Sequence, residues 1–249
     1  MLLQLSCFAL VLVAWTAVSG LGLIGSRTLP SVRAVVVALA ALVRTAEFWS
    51  MVGYTLRGAV VGLTAAALVG IPLGLVTGTY AAAERSSRLL VDVLRSFPVI
   101  ALLPVFLLIF GATPNMKATA VFLACTFPIF LQAQYGARSV EPTVAETVRS
   151  YRIPRLLRFR KVILPSAVPS IMTGLRLAAT TSVLVAIGVE ILTAVHGIGF
   201  MVTTEQQAGN AAVAYAYIFV ASALGYSINR GSELLENRLL RWRPPAQAS

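Results

Sequence analysis

The side chains able to carry chemistry are few and lie far apart along the chain. Its 249 residues hold one histidine, His196, two cysteines, Cys7 and Cys125, and nine acidic residues. Hydrolysis, group transfer or metal catalysis needs several titratable groups converging on one place, and the spacing offers no such set. No Gly-x4-Gly-Lys-Ser/Thr run occurs, so the chain has no loop of that type to cradle nucleotide phosphates. An energy source must then be a partner or an ion gradient. Three charged residues stand inside apolar runs, Arg57, Arg176 and Glu190. A charge in hydrocarbon costs roughly 3 kcal/mol or more and faces a bundle interior, a watery path or an opposite charge. Arg176 and Glu190 are separated by about 21 Å of helix, so they do not pair on one straight segment. Each is therefore a structural anchor in the bundle or part of a solute path, and Arg57 has the further option of snorkelling to the interface. His196, in AVHGIGF, reads as an interfacial turn residue.

The one long polar stretch between apolar runs is 141–165, EPTVAETVRSYRIPRLLRFRKVILP. With Arg138 at its entrance it carries Arg149, Arg152, Arg155, Arg158, Arg160 and Lys161. Pro142 suits the first turn of a helix, and Val144, Ala145, Val148 and Tyr151 fall along one face with Glu146, Arg149 and Ser150 turned elsewhere. Pro154 disfavours helix at Ile153 and ends that run. A second short helix then points Leu156, Phe159 and Ile163 inward and Arg155, Arg158 and Lys161 outward. The stretch is expected to form two short helices, bent across 152–154, on a membrane surface. The plainer alternative is a basic loop that only fixes topology.

The elements around it must be membrane spans. At 58% hydrophobic and 12% charged residues, the chain is far from a soluble domain, where about a quarter of residues are charged. The expected fold is all-α, a polytopic membrane bundle of about six transmembrane helices, drawn at 2–23, 51–80, 97–110, 118–135, 167–193 and 211–228. The first is read as a true span, not a cleaved signal, because it lacks a positive n-region. The segment 32–48 is read as an interfacial helix. In 51–80, Gly58, Gly62, Ala66, Gly70, Gly74 and Gly78 recur every four positions, which marks a face for close helix approach. The segment 84–95 reads as a surface helix with Glu84–Arg88 and Arg88–Asp92 pairs. The segment 97–110, short and holding Pro98 and Pro104, must borrow residues upstream or run buried. Domain divisions are expected at 1–50 (first span and interfacial segment), 51–243 (core with 141–165) and 244–249 (tail).

The net charge of +11 serves topology. Loops 84–95, 136–165 and 229–249 collect fourteen basic residues, against Arg27, Arg33, Arg44 and Lys117 on the other side. By the positive-inside rule the fourteen face the cytoplasm, and six spans put both termini there. No nucleic-acid partner is expected, and Cys7 and Cys125, both in apolar runs, read as packed or lipid-facing side chains.

The stretch 141–165 resembles the coupling loop of permease subunits of bacterial ATP-binding-cassette importers. Their signature is E-A-A, three residues, G, nine residues, I-x-L-P. Glu146, Thr147 and Val148 stand on the first three positions, Arg152 on the glycine, Val162 on the isoleucine, and Leu164 with Pro165 on the closing pair. The spacing matches throughout, while the identities depart at both alanines and at the glycine. Arg152 with Pro154 implies a differently built corner. LRSFPVIALLPVFLLIFG, TFPIFLQAQYG, VILPSAVPSIMTGLRLA and GIGFMV are similar to members importing sulfonates, taurine and nitrate, and to others serving vitamin precursors.

The resemblance implies a type I importer permease in the bacterial cytoplasmic membrane, with a second permease copy as homodimer, two cytoplasmic ATPase subunits and an external solute-binding protein. ATP and magnesium would bind the ATPase, and this chain would bind no cofactor. Glu146, Thr147, Val148, Arg149, Ser150, Arg152, Pro154, Leu164 and Pro165 would make the ATPase coupling surface; Arg57, Arg176 and Glu190 are the pathway candidates. A secondary carrier or channel working without ATP is the alternative from a different class.

Overall fold

The computed structural model describes residues 2–21, 25 and 28–240, without side chains at 2–5, 7 and 8. Cys7, Arg27, Arg241, Arg243 and the tail 244–249 therefore lie outside the described side chains. The described residues are nearly all helical and contain no strand. The helices are α1 (Leu2–Gly20), α2 (Val32–Leu42), α3 (Ala46–Thr79), α4 (Ala81–Ser96), α5 (Leu103–Phe110), α6 (Pro114–Arg138), α7 (Pro142–Ser150), α8 (Arg155–Arg158), α9 (Leu164–Thr193), α10 (Ile198–Gln207) and α11 (Ala211–Leu239). Among the described residues, α3, α6, α11 and the 155–207 segment are long and apolar enough to cross a membrane. The pair from α4 to α5 makes a fifth if counted as one span, and α1 adds the shorter apolar run Ala9–Gly20.

Local chemistry explains the breaks. Thr113 caps α6 by accepting the Met116 N–H at 3.4 Å, with Pro114 in the first turn, where no amide partner is needed. Pro98 holds Phe97 extended (φ −73°, ψ 124°), so α4 stops there. A 3-10 turn at Val99–Leu102 and Pro104 then restart the chain as α5, bent 79° from α4. The expected third span is thus the second arm of a broken helix pair. It is not buried as a whole: Leu103 and Phe106 are buried, while Leu108 and Ile109 are exposed.

The chain forms two compact units. One comprises Met1–Arg57 and Ile187–Leu224. Its core joins Phe48, Met51 and Val52 of α3 to Ile198, Met201 and Val202 of α10 and Tyr217 of α11. Trp15 fixes α1 here: its ring stacks on Phe219 at 5.7 Å, lies 5.8 Å from Tyr215, and its indole N–H donates to the Pro30 carbonyl at 3.0 Å.

The other unit comprises Gly58–Ala186 and Gly225–Ser249. Here α6 is central, burying ten residues, Met116 and Lys117 among them. The small-residue stripe of α3 lies on it in rising order on both helices: Gly58 against Lys117, Gly62 against Val121, Gly70 against Ile129, Gly74 against Ala133 and Gly78 against Ala137. The two helices therefore run parallel, and α4 with α5 returns the chain between them. On its other side α6 meets α9 antiparallel, Gly136 against Ala167 and Gly174 against Gln132. The Cys125 thiol donates to the Ala178 carbonyl at 3.3 Å in the same seam.

Candidate coupling surface and buried charges

The first short helix and the bend at 152–154 are present as the sequence predicts, yet the corner differs from expectation and the second helix runs on into α9. Arg152 takes the left-handed conformation, φ +50°. The Ile153 N–H donates to Val148 O at 3.2 Å and the Arg152 N–H to Arg149 O at 3.1 Å. This paired pattern is the Schellman stop, in which the residue just past the helix goes left-handed and is usually glycine. Pro154 follows as an N-terminal cap for α8. The corner is thus the one a glycine would make, built with arginine at the position; the backbone bonds that close the turn outweigh a left-handed cost of about 1 kcal/mol. Replacing Arg152 with Gly should leave the fold intact and raise thermal stability slightly, while Arg152→Val, β-branched at positive φ, should lower it. Thermal unfolding of the detergent-solubilised chain checks both.

Exposure sorts the remaining residues. Glu146, Thr147, Arg149, Ser150, Arg152, Pro154 and Pro165 are exposed, whereas Val148 is buried and Leu164 half-buried. Val148 therefore holds α7 onto its own unit and does not face outward. Leu156, expected to point inward, is 70% exposed, because α8 does not lie down as a separate amphipathic helix. It runs through a π-helical turn, Phe159–Ile163, directly into α9, and only Ile163 and Phe159 reach the core formed with Leu75, Ala133, Ala137, Ala167 and Ile171. Tyr151, Leu156 and Leu157 stand out among exposed arginines.

The charged residues inside the spans have distinct surroundings. Arg57 is exposed on α3. Arg176 of α9 lies 3.1 Å from Glu236 of α11, and the Thr173 hydroxyl donates to the other oxygen of that carboxyl at 3.4 Å. Glu190 is fully buried. Its Oε2 accepts the Thr55 hydroxyl at 2.9 Å and the Gly199 N–H at 3.0 Å, and the Thr55 oxygen accepts the Ile198 N–H at 2.9 Å. A Cβ on Gly197 would collide with this carboxyl group. Glu190 and Thr55 together hold the first turn of α10. His196 sits in the turn before α10, 6.1 Å from the Tyr54 ring and 5.3 Å from Phe200.

Two features escape the sequence. Lys117, counted there as a loop cation, is 1% exposed, its stem filling the space that Gly58 leaves open. Glu84 does not pair with Arg88; its carboxyl meets Arg138 at 2.7 Å, and Asp92 pairs with Arg95 at 3.0 Å. The missing Cβ at Gly58 is the one signal that could have suggested a buried neighbour.

With this geometry in place, residues 70–241 match the family described as the binding-protein-dependent transport system inner membrane component. The chain belongs to that family. A putative aliphatic sulfonates transport permease protein of Escherichia coli is 32% identical over 234 residues, covering 94% of this chain and 89% of that one. A taurine transport system permease protein of the same organism is 28% identical, covering 98% and 91%. Among solved structures, an inward-facing methionine ABC transporter aligns with a TM-score of 0.67 at 20% identity, covering 77% of this chain and 95% of that one. That likeness shows the fold. As an inner membrane component, the chain is a transport permease, and the 141–165 segment falls within the matched region.

Proposed function

We propose that the chain is the permease subunit of an ATP-driven importer of a small organic anion of the sulfonate class, working as a homodimer with two ATPase subunits and an external binding protein. The observation that carries the ATPase partnership is α7: a helix stopped by a Schellman turn, pinned to its own unit by Val148 and presenting Glu146, Thr147, Arg149 and Ser150 to solvent. A short rigid helix with one face anchored and one face polar suits docking into a groove on a soluble partner. The names of the sulfonate and taurine relatives support the substrate class, and the exposed Arg57 is the cation we assign to the anion's path. The basic loops then lie in the cytoplasm with both termini.

In the reconstituted complex, Glu146→Arg and Arg149→Glu should each reduce ATPase retention or solute-stimulated hydrolysis at least tenfold, and Arg57→Gln should lower taurine uptake while leaving assembly unchanged. Uptake by the permease alone, driven by an ion gradient, would instead identify a secondary carrier.

A further inference from the structure

The connection into α7 is tied to more than the helix that carries it. Arg138, the last residue of α6, places Nη2 2.7 Å from Glu84 Oε2 in the first turn of α4 and 3.4 Å from the Thr77 carbonyl near the end of α3. The next residue, Ser139, donates to Gly136 O at 2.8 Å and to Ser166 O at 3.3 Å, which joins α6 to the start of α9. Beneath them the ends of α3 and α6 are in close contact, with Gly78 against Ala137. Three residues after Ser139, α7 begins.

Helix α4 buries little of itself in this unit. None of its residues is buried, so apolar packing does little to fix its position. Its first turn is held by the Arg138 contact, and its last turn, Arg95 and Ser96, lines a cavity of about 680 Å³ with Phe97, Phe127 and Pro128. A helix held at one end by a charge pair and walling a cavity at the other moves as a lever when the held end moves.

We propose that the Arg138–Glu84 ion pair is the tie through which displacement of α7 swings α4 and reshapes that cavity, making Arg138 a positioning residue for transport. This rests on α7 being the ATPase contact. A charge contact at about a third exposure contributes little to folding, so a purely structural pair would be nearly silent on replacement. The tie predicts a transport defect out of proportion to any stability change.

The test uses the full complex of permease, ATPase and binding protein in liposomes, with taurine as the transported probe. Arg138→Glu and Glu84→Arg alone should retain ATPase binding and hydrolysis within about threefold yet lose at least tenfold in taurine moved per ATP. The double swap R138E/E84R should recover most of that ratio. Single variants that match the parent in taurine per ATP, or a double swap no better than either single, would overturn the tie and leave the coupling assignment standing. If the parental permease retains no ATPase, both fall together.

Discussion

Glu190→Ala is expected to release α10 from α9 and α3. The Glu190 carboxyl is fully buried and accepts hydrogen bonds from the Thr55 hydroxyl and the Gly199 N–H. Removal leaves the Gly199 amide without that acceptor in an apolar setting, while the Thr55 hydroxyl keeps a longer bond to the Met51 carbonyl at 3.3 Å. The cost is about 3 kcal/mol, the range for a lost side-chain hydrogen bond plus an unsatisfied buried donor. Glu190→Gln preserves shape and one acceptor oxygen and should cost about 1 kcal/mol or less. Gly197→Ala should behave like the alanine variant although it removes no bond, because its methyl group would occupy the space of the carboxyl. Hydrogen exchange on the purified chain is the direct measurement. Faster exchange at Ile198 and Gly199 in Glu190→Ala and Gly197→Ala, but not in Glu190→Gln, is the expected pattern; equal protection in all three would remove the carboxyl from its anchoring role.

Gly74→Leu is expected to prevent folding of the α3–α6 pair. At this point a single added Cβ would clash with the Phe130 carbonyl and lie 2.7 Å from Ala133 Cβ and 3.1 Å from the Gln134 nitrogen. Two of those neighbours are backbone atoms of a central helix and have no rotamer through which to yield. Overpacking of this kind costs about 3 kcal/mol or more, and even Gly74→Ala should be clearly destabilising. The control is Gly231→Ala on α11, where nothing lies within 4 Å. There the alanine gains helix propensity worth about 1 kcal/mol. Recovery of monodisperse protein and its unfolding temperature should drop for Gly74→Ala, collapse for Gly74→Leu, and hold or rise for Gly231→Ala.

The helical class, the long spans α3, α6, α9 and α11, the helix–corner–helix of 142–158 and the close-packing face of α3 all follow from runs of adjacent residues. Each depends on hydrophobic length, periodicity or proline placement, which act over a few turns of chain. The resemblance in 141–165 lay in spacing, and spacing survives where identities change. The corner at Arg152 departs from the sequence expectation because backbone hydrogen bonds, and not the side chain, decide that turn.

What required the tertiary structure is the pairing of residues distant in sequence. The stripe from Gly58 to Gly78 announces a partner helix, but only packing names α6 and sets the helices parallel. Glu84 chose Arg138 over the Arg88 one turn away, Arg176 found Glu236, and Glu190 found Thr55 135 residues earlier. Local pairs of charges on a helix are worth only a few tenths of a kcal/mol, less than the energies that fix how helices pack. Side-chain partners therefore follow the helix register, and the register is set by where small residues let backbones meet.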